Sequence, residues 1–311
     1  MSTYVLGDIH GCFDSLQNLL SLLPLNKGDQ LWCVGDLINR GPDSLKVLQW
    51  AQNNDSWVQI ILGNHELHFL ACLYGAHTSS GDTLDDLLSL SKSEQKELCT
   101  WLRRQPILFE AKLTDRRIAM VHAGLNPEWS WTECKRRAQV IEQALQSDEG
   151  LLNLALAHPS RKGLKSNPQA ELNSTYSHET RKSSHKKPKP EKAQWIRDLK
   201  WFTRVRTVDH NGKAIGWFKG NPQELPTELI PWFSKYQEQH NNFFPDMLYY
   251  GHWAAFGIQH GRNYYGLDSA CIWGQQLTAV RVEDGEIFQV NNQNSSLTPK
   301  HLRAQSNECR D

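Results

Sequence analysis

Short apolar runs that end at a glycine alternate with stretches of helical periodicity in the N-terminal part of the chain. Three such runs are predicted strands: residues 3–6, 31–34 and 57–62. Apolar residues recur at helical spacing from Phe13 to Leu23, and further helices are predicted to begin near Pro42 and Glu66. Three consecutive strand–loop–helix units predict an α/β architecture with a largely parallel sheet.

The rest of the chain adds helices in the middle and strands towards the end. The pattern is helical between residues 81 and 104, and residues 117–121 supply a further strand. Four later runs resemble a meander of strands: residues 247–250, 263–265, 277–282 and 286–290. Asp284 and Gly285 favour a hairpin between the last two. Since strands come from both halves of the chain, we predict a β-sandwich core flanked by helices.

One segment, residues 158–194, departs from this globular pattern. It is rich in Ser, Pro, Asn and Lys, and it contains nine Lys or Arg residues against three Glu residues. Such a segment buries too little apolar surface to offset its ordering entropy, so it is predicted to be a flexible basic insertion. An alternative is a tether for an acidic partner such as RNA. A single domain is therefore predicted at residues 1–290, followed by a polar tail at 291–311.

Composition and charge narrow the class of protein. The 311 residues include 34 basic and 34 acidic side chains, so net charge indicates neither a DNA partner nor a membrane surface. The seven cysteines are an odd number without a Cys-x-x-Cys pair, which predicts free thiols in a reducing compartment. There is no secretory signal pattern, and no uncharged run approaches the roughly 20 residues of a membrane-spanning helix. A soluble cytoplasmic protein is expected.

Polar side chains with metal-binding chemistry lie just beyond the predicted strand ends. Seven residues share this position: Asp8, His10, Asp36, Asn64, His65, His122 and His252. Open α/β sheets place ligand sites outside the carboxyl ends of their strands, so these separate loops are expected to converge. Each residue alone could be a turn residue or a hydrogen-bonded histidine. The other nine histidines, including His68, are interpreted as structural in that way.

Together these side chains could bind two metal ions. Carboxylate, amide and imidazole ligands suit Mn, Fe, Co or Zn. Asp36 is the candidate bridge. The other ligands divide between the ions, with Asp8 and His10 for one and Asn64, His122 and His252 for the other. Two ions about 3.5 to 4 Å apart can lower the pKa of a shared water and hold the attacking and leaving oxygens of a displacement at phosphorus. The sequence therefore predicts a two-metal phosphoesterase.

Three motifs resemble the signature of the PPP branch of the calcineurin-like metallophosphoesterases: Gly7-Asp8-Ile9-His10-Gly11, Gly35-Asp36 with Arg40-Gly41, and Gly63-Asn64-His65-Glu66. This branch contains Ser/Thr protein phosphatases and dinucleoside tetraphosphatases. The resemblance implies an α/β fold of two packed mixed β-sheets flanked by helices. It also implies two divalent transition-metal ions at these loops, Mn or Co, with Fe or Zn as alternatives.

Carried over residue by residue, the resemblance implies six metal ligands with Asp36 as their bridge: Asp8, His10, Asp36, Asn64, His122 and His252. It makes His65 the candidate general acid, since an imidazolium near the metals can protonate a leaving oxygen. It makes Arg40 a phosphate clamp, because a guanidinium offers fork-shaped donors to phosphate oxygens.

Within the branch, the chain is most similar to the bacterial symmetrical dinucleoside tetraphosphatases, which split diadenosine tetraphosphate into two ADP. This similarity rests on four stretches: residues 35–45, 202–206, 251–255 and 266–274. It implies a dinucleoside polyphosphate substrate, whose phosphates Arg204 and Arg206 could neutralise. If these two arginines alternate along a strand, both point to one face. Nucleoside-tetraphosphate caps on RNA 5′ ends are a further candidate substrate, with the basic insertion as tether.

Two alternative functions stay open. A Ser/Thr or Tyr protein phosphatase of the same branch is disfavoured by Asn39, where protein phosphatases carry an Asp that pairs with the histidine acid. A non-catalytic nucleotide-binding protein on the same fold is disfavoured because every predicted ligand position holds a competent residue. Hydrolysis of a phosphoric anhydride is therefore the leading expectation.

Overall fold

A computed structural model describes residues 1–157, 190–215, 218–240 and 245–292 of the chain. Of the predicted insertion at 158–194, residues 158–189 lie outside the described residues, and residues 190–194 begin a helix. The predicted tail at 291–311 starts at the end of the last strand, and residues from 293 onward lie outside the described ranges.

Nine α-helices lie within these ranges: α1 (Phe13–Leu22), α2 (Ser44–Asn53), α3 (Asn64–Leu73), α4 (Asp85–Leu88), α5 (Lys92–Leu102), α6 (Trp131–Leu145), α7 (Asp148–Ala157), α8 (Pro190–Arg204) and α9 (Trp232–Gln239). The same ranges contain thirteen strands: β1 (Thr3–Leu6), β2 (Gln30–Cys33), β3 (Val58–Ile60), β4 (Leu108–Leu113), β5 (Arg116–Val121), β6 (Thr207–Asp209), β7 (Ala214–Ile215), β8 (Leu229–Pro231), β9 (Met247–Tyr250), β10 (Gln259–His260), β11 (Tyr264–Gly266), β12 (Gln276–Arg281) and β13 (Ile287–Asn291).

The strands form two large mixed sheets and one small sheet. In the first sheet the order is β13-β12-β1-β2-β3, in which β1, β2 and β3 are parallel. In the second the order is β10-β11-β9-β5-β4, in which β11, β9 and β5 are parallel. The third sheet, β7-β6-β8, is antiparallel. The predicted fold of two mixed sheets flanked by helices is confirmed.

Two details of the strand prediction are wrong. The first sheet is parallel only across β1, β2 and β3, because the predicted hairpin of β12 and β13 completes it in antiparallel pairing. The late strands are not a meander, because β9 pairs in parallel with both β5 and β11 while β12 and β13 join the other sheet. A buried apolar run indicates a strand, but the partners of that strand depend on distant parts of the chain.

Two helical stretches also differ from their prediction. Helix α2 begins at Ser44 rather than Pro42, because residues 39–43 form the loop that carries Arg40. Residues 81–104 contain two helices, and the second begins where the Ser91 side chain accepts a hydrogen bond from the Glu94 N–H. Apolar periodicity does not detect such caps and loop contacts.

The two large sheets pack face to face, and helices cover their outer sides. Strand β1 is buried along its whole length and separates two cores. Val5 belongs to the cluster between the sheets, together with Trp32 of β2 and Met120 of β5. Tyr4 and Leu6 belong to the larger cluster that also contains the buried helix residues. Burial on both sides fixes β1 and therefore the start of the loop that follows it.

Six cysteines in the described ranges are free, as predicted, and all six are buried: Cys12, Cys33, Cys72, Cys99, Cys134 and Cys271. Cys309 lies outside the described residues. None of the helices within the described ranges has the length and apolar character needed to cross a membrane.

Candidate active site

The loops that follow β1, β2, β3, β5 and β9 converge at one edge of the sandwich. The six predicted metal ligands, called the ligand cluster below, come together there: Asp8, His10, Asp36, Asn64, His122 and His252. All six are buried. Asp8 and His252 are 244 positions apart, yet the His252 N–H donates to Asp8 Oδ2 at 3.1 Å. Parallel strands end at the same edge, which explains why loops so distant in sequence meet.

Short distances connect the side chains of the ligand cluster. His122 Nε2 lies 3.2 Å from Asp36 Oδ2 and 3.2 Å from Asn64 Oδ1. His10 Nε2 lies 3.8 Å from Asp8 Oδ2 and 3.8 Å from Asp36 Oδ2. Oxygen and nitrogen atoms at these separations can point at common metal positions.

Asp36 belongs to two groups of potential ligand atoms. One group contains Asp36 with His10 and His65, and the other contains Asp36 with His122 and His252. Within each group the ligand atoms lie within 4.8 Å of one another. A carboxylate shared by two such groups has the geometry expected of a bridge between two ions.

The histidine rings are oriented towards the ligand cluster. His122 Nδ1 is 2.8 Å from the Val34 carbonyl oxygen, and His10 Nδ1 is 3.3 Å from the Ile38 carbonyl oxygen. A hydrogen bond of this kind leaves Nε2 as the acceptor, as in metal-binding histidines. The buried Nε2 of His252 has no hydrogen-bond partner among the described residues. This orphaned nitrogen and the mixed donor set fit a bound divalent ion.

The two buried carboxylates of the ligand cluster have pKa shifts of opposite direction. Burial raises the pKa of Asp8 well above its usual value, and the charges of Asp268 and Asp36 add to this effect. Although burial opposes it, the neighbouring His122 holds the pKa of Asp36 well below its usual range. Unpaired buried charges are costly, so this cluster of carboxylates favours bound cations.

The backbone of the site loops is strained. Five non-glycine residues there have φ between 49° and 76°: His10, Asp36, Asn39, Arg40 and His252. Such left-handed conformations cost of order 1–3 kcal/mol each and persist where the surrounding structure over-determines them, often at functional sites. Their concentration at the ligand cluster favours a functional over a structural interpretation.

Gly251 allows the loop after β9 to approach Asp8. A Cβ at this position would lie 1.9 Å from Asp8 Oδ1 and 2.9 Å from Val34 Cγ2. We expect Gly251→Ala to displace Asp8 and to weaken metal binding at least about tenfold, the size of effect seen when a ligand loses its support. Calorimetric metal titration measures this. A Cβ at Gly220 would meet nothing closer than 3.5 Å, so Gly220→Ala is the control, and equal metal affinities of the two variants would contradict the expectation.

Glu66 is a structural support of the site whose role the sequence did not reveal. Its buried carboxylate accepts hydrogen bonds of 2.8–3.3 Å from the backbone N–H groups of Asp36, Leu37, Ile38 and Gly63. It therefore ties the loop after β2 to the loop after β3. Burial raises the pKa of Glu66 to about 7, and the charge of Asp36 acts in the same direction. In the sequence, only its place in the Gly63-Asn64-His65-Glu66 motif could have indicated this supporting role.

The predicted acid and the predicted clamp lie beside the ligand cluster. His65 Nε2 is 3.8 Å from Asp36 Oδ2, and its buried Nδ1 has no hydrogen-bond partner among the described residues. Burial lowers the pKa of His65 to about 3, although Asp36 opposes this. Arg40 Nη1 donates to the Gly81 carbonyl oxygen at 2.5 Å, and 32% of the Arg40 side chain is exposed. Both residues line the open space next to Asp36.

Two cavities, of about 530 and 670 Å³, open from the ligand cluster. The predicted phosphate-binding residues Arg204 and Arg206 both line the larger one. They do not alternate along a strand, because Arg204 ends α8 and Arg206 precedes β6. Arg204 is open to solvent, whereas Arg206 Nη2 donates to the His252 carbonyl oxygen at 2.9 Å. Surrounding protein lowers the pKa of both guanidiniums, yet arginine stays cationic at neutral pH.

Sequence reasoning also missed two carboxylates near the site. Asp268 is buried and lines the larger cavity. It follows β11 much as Asp8 follows β1, and this repeated strand-end position could have identified it. Asp82 lies 2.7 Å from Nε2 of His68, the histidine interpreted as structural, and no local pattern marks it. It is found only because the loop before α4 packs against the loop after β2.

Comparison with known proteins identifies the class. The family model for calcineurin-like phosphoesterases matches residues 1–275, and the chain belongs to this family. The family uses paired divalent metal ions, and the described residues contain the His and Asp groups that could hold them.

Two bacterial relatives are similar to this chain over most of its length. A protein of Methylobacillus flagellatus is 35% identical, with 93% of this chain and 95% of the relative covered. One of Escherichia coli is 34% identical, with 96% and 98% covered. Both are named symmetrical bis(5′-nucleosyl)-tetraphosphatase. A crystal structure described as a candidate diadenosine tetraphosphatase has a TM-score of 0.56 at 20% identity, covers 94% of each chain, and supports the fold alone.

Proposed function

We propose that this protein is a two-metal hydrolase that cleaves diadenosine tetraphosphate symmetrically into two ADP. The observation that carries the proposal is the position of Asp36, which is shared by two groups of ligand atoms at the mouth of an arginine-lined cavity. The relatives support the substrate, since their names specify a symmetrical tetraphosphatase.

Two divalent ions are proposed at the ligand cluster, with Asp36 as their bridge. The remaining ligands are Asp8 and His10 for one ion and Asn64, His122 and His252 for the other. When bound, the ions would lower the pKa of a shared water and neutralise charge at the reacting phosphate. Mn or Co is the proposed metal, with Fe and Zn as alternatives, because mixed oxygen and nitrogen ligands suit first-row ions.

The chain's own residues would bind the phosphates and move the proton. Arg40, Arg204 and Arg206 all line the larger cavity, and several cations are needed to balance a tetraphosphate. His65 would donate a proton to the leaving oxygen. Its low pKa reflects burial, and the negative charge of a bound polyphosphate would act in the opposite direction to that burial.

Product analysis tests the proposed function. Purified protein with Mn²⁺ is expected to convert diadenosine tetraphosphate into ADP as the sole nucleotide product. AMP together with ATP would refute symmetrical cleavage. Phosphopeptide hydrolysis without turnover of the dinucleotide would favour a protein phosphatase, and binding without hydrolysis under any metal would favour a non-catalytic protein. Repeating the assay with Co, Fe and Zn identifies the activating metal.

We further propose nucleoside-tetraphosphate caps on RNA 5′ ends as substrates. Ala157, the last described residue before the segment 158–189, lines the smaller cavity, so the chain enters this segment beside the site. Deleting residues 161–188, which spares α8, is expected to reduce RNA decapping more than dinucleotide hydrolysis, because the deleted residues are rich in Lys and Arg. Parallel rate measurements on both substrates decide this, and equal losses would argue against a tether.

A further inference from the structure

The two cavities meet beside Asn64 of the ligand cluster. They share five lining residues: Arg40, Asn64, His65, Lys200 and Arg204. Three of these residues are cations, and two lie at the candidate metal and acid positions. A phosphate chain placed here would therefore continue into a cavity on each side.

The walls of the two cavities differ in chemistry. The smaller one, called the aliphatic cavity, lies between α3, α7 and α8 and is walled by Leu67, Leu154 and Leu199. The larger one, called the tryptophan cavity, contains the partly exposed rings of Trp201 and Trp273. The aliphatic cavity also contains the smaller rings of His68 and His77, but no tryptophan lines it. The face of an indole stacks on a nucleobase of any type over a larger area than an imidazole or a leucine offers.

We infer that each cavity binds one nucleoside of the substrate and that the tryptophan cavity binds its nucleoside more tightly. The inference rests on the proposed function. Symmetrical cleavage breaks the central P–O–P bridge of the tetraphosphate, so one nucleoside diphosphate unit lies on each side of the bond that breaks. Two cavities of unequal chemistry that meet at the cations satisfy this requirement and also impose one preferred orientation on a substrate with two different nucleosides.

Equilibrium dialysis of the Mn²⁺-loaded protein with ADP tests this inference. The wild type is expected to bind two ADP per chain with unequal affinities. Ala157→Trp adds a large ring at an exposed residue that lines the aliphatic cavity, and this variant is expected to bind one ADP. Trp273→Leu is expected to weaken the tighter binding about tenfold, because stacking on an aromatic side chain contributes a factor of about that size.

Leu152→Trp is the matched control for the blocking variant. Leu152 is exposed on the same helix, α7, and does not line either cavity, so two ADP should still bind. A single ADP per wild-type chain, or two ADP on Ala157→Trp, would overturn the inference. If the wild type hydrolyses diadenosine tetraphosphate to ADP but binds one ADP, this inference alone fails. If it does not hydrolyse the dinucleotide, the proposed function itself fails.

Asp82 and Asn39 form a hydrogen-bond network beside Arg40. The side chain of Asp82 is 4% exposed, and its Oδ1 accepts a hydrogen bond from Asn39 Nδ2 at 2.9 Å. Its Oδ2 is 2.7 Å from His68 Nε2. Asn39 Oδ1 in turn accepts the N–H of Arg40 at 2.7 Å and the N–H of Thr83 at 2.9 Å. The network joins the loop after β2 to the loop before α4.

The same network reaches the Arg40 side chain. Arg40 Nη1 is 3.9 Å from Asp82 Oδ1 and donates to the adjacent Gly81 carbonyl oxygen. Asn39 and Arg40 have φ values of 71° and 76°, so neighbouring contacts must impose their conformation. The geometry points to Asp82 as a positioning residue that acts through Arg40.

A double-mutant cycle separates this role from a general structural one. Asp82→Asn is expected to raise KM for diadenosine tetraphosphate about tenfold while kcat changes less than twofold, and to have no further effect in an Arg40→Ala background. Asp86→Asn is the control, since Asp86 accepts the Leu45 N–H at 2.7 Å in the neighbouring turn. Equal effects of Asp82→Asn in both backgrounds would overturn the assignment. An Arg40→Ala variant with wild-type KM would instead refute the proposed clamp.

Discussion

Asp36→Asn is expected to lower kcat for diadenosine tetraphosphate hydrolysis at least about 100-fold. The Asp36 carboxylate is the proposed bridge between two ions, and such ions stabilise charge at the reacting phosphate by several kcal/mol. The amide keeps the shape of the side chain and one oxygen, but it loses the charge that faces His10, His65 and His122. The same variant is expected to retain fewer than two metal ions per chain. Steady-state kinetics and elemental analysis of the desalted protein measure the two effects.

Asp29→Asn is the matched control for this substitution. Asp29 is also a buried carboxylate and directly precedes β2. It accepts hydrogen bonds from the N–H groups of Ser2 and Asn26, and none of these three residues lines either cavity. Its variant should keep full metal content and activity. Wild-type activity of Asp36→Asn would rule out the two-metal mechanism, because no other carboxylate of the described residues is shared by both groups of ligand atoms.

Glu66→Ala is expected to lower the free energy of unfolding by about 3–5 kcal/mol. The substitution leaves buried backbone N–H groups of two site loops without their acceptor, and each such group costs roughly 1–3 kcal/mol before the loops relax. The affected donors belong to Asp36, Leu37, Ile38 and Gly63. Urea unfolding of the metal-free protein measures the change, and the displaced Asp36 loop should also weaken metal binding.

Two further variants define the origin of this loss. Glu66→Gln retains one acceptor oxygen but turns an amide towards the other donors, so an intermediate loss is expected. Glu97→Ala removes an exposed glutamate from α5 and should change the free energy of unfolding by less than about 0.5 kcal/mol. If Glu66→Ala were as stable as Glu97→Ala, the carboxylate would not be the support that its hydrogen bonds indicate.

The sequence by itself indicated which loops hold the candidate ligands. Asp8, Asp36 and Asn64 each follow an apolar run and a glycine, and this local pattern indicates a strand end in an α/β sheet. The structure places all three in one cluster, with the histidines that follow β5 and β9. Local patterns could predict these positions because strand ends and turns depend mostly on residues close in sequence.

The tertiary structure alone decided the order of the strands, the supports of the site and the shape of its cavities. Glu66 contacts Ile38 across 28 positions, and Asp82 contacts Asn39 across 43. The position of Arg204 at a helix end, rather than on a strand, depends likewise on how α8 meets the small sheet. Such contacts follow from sheet order and packing, which hydrophobic periodicity does not encode. The sequence could therefore name the candidate ligands, but only the packed sheets show what holds them and what space lies beside them.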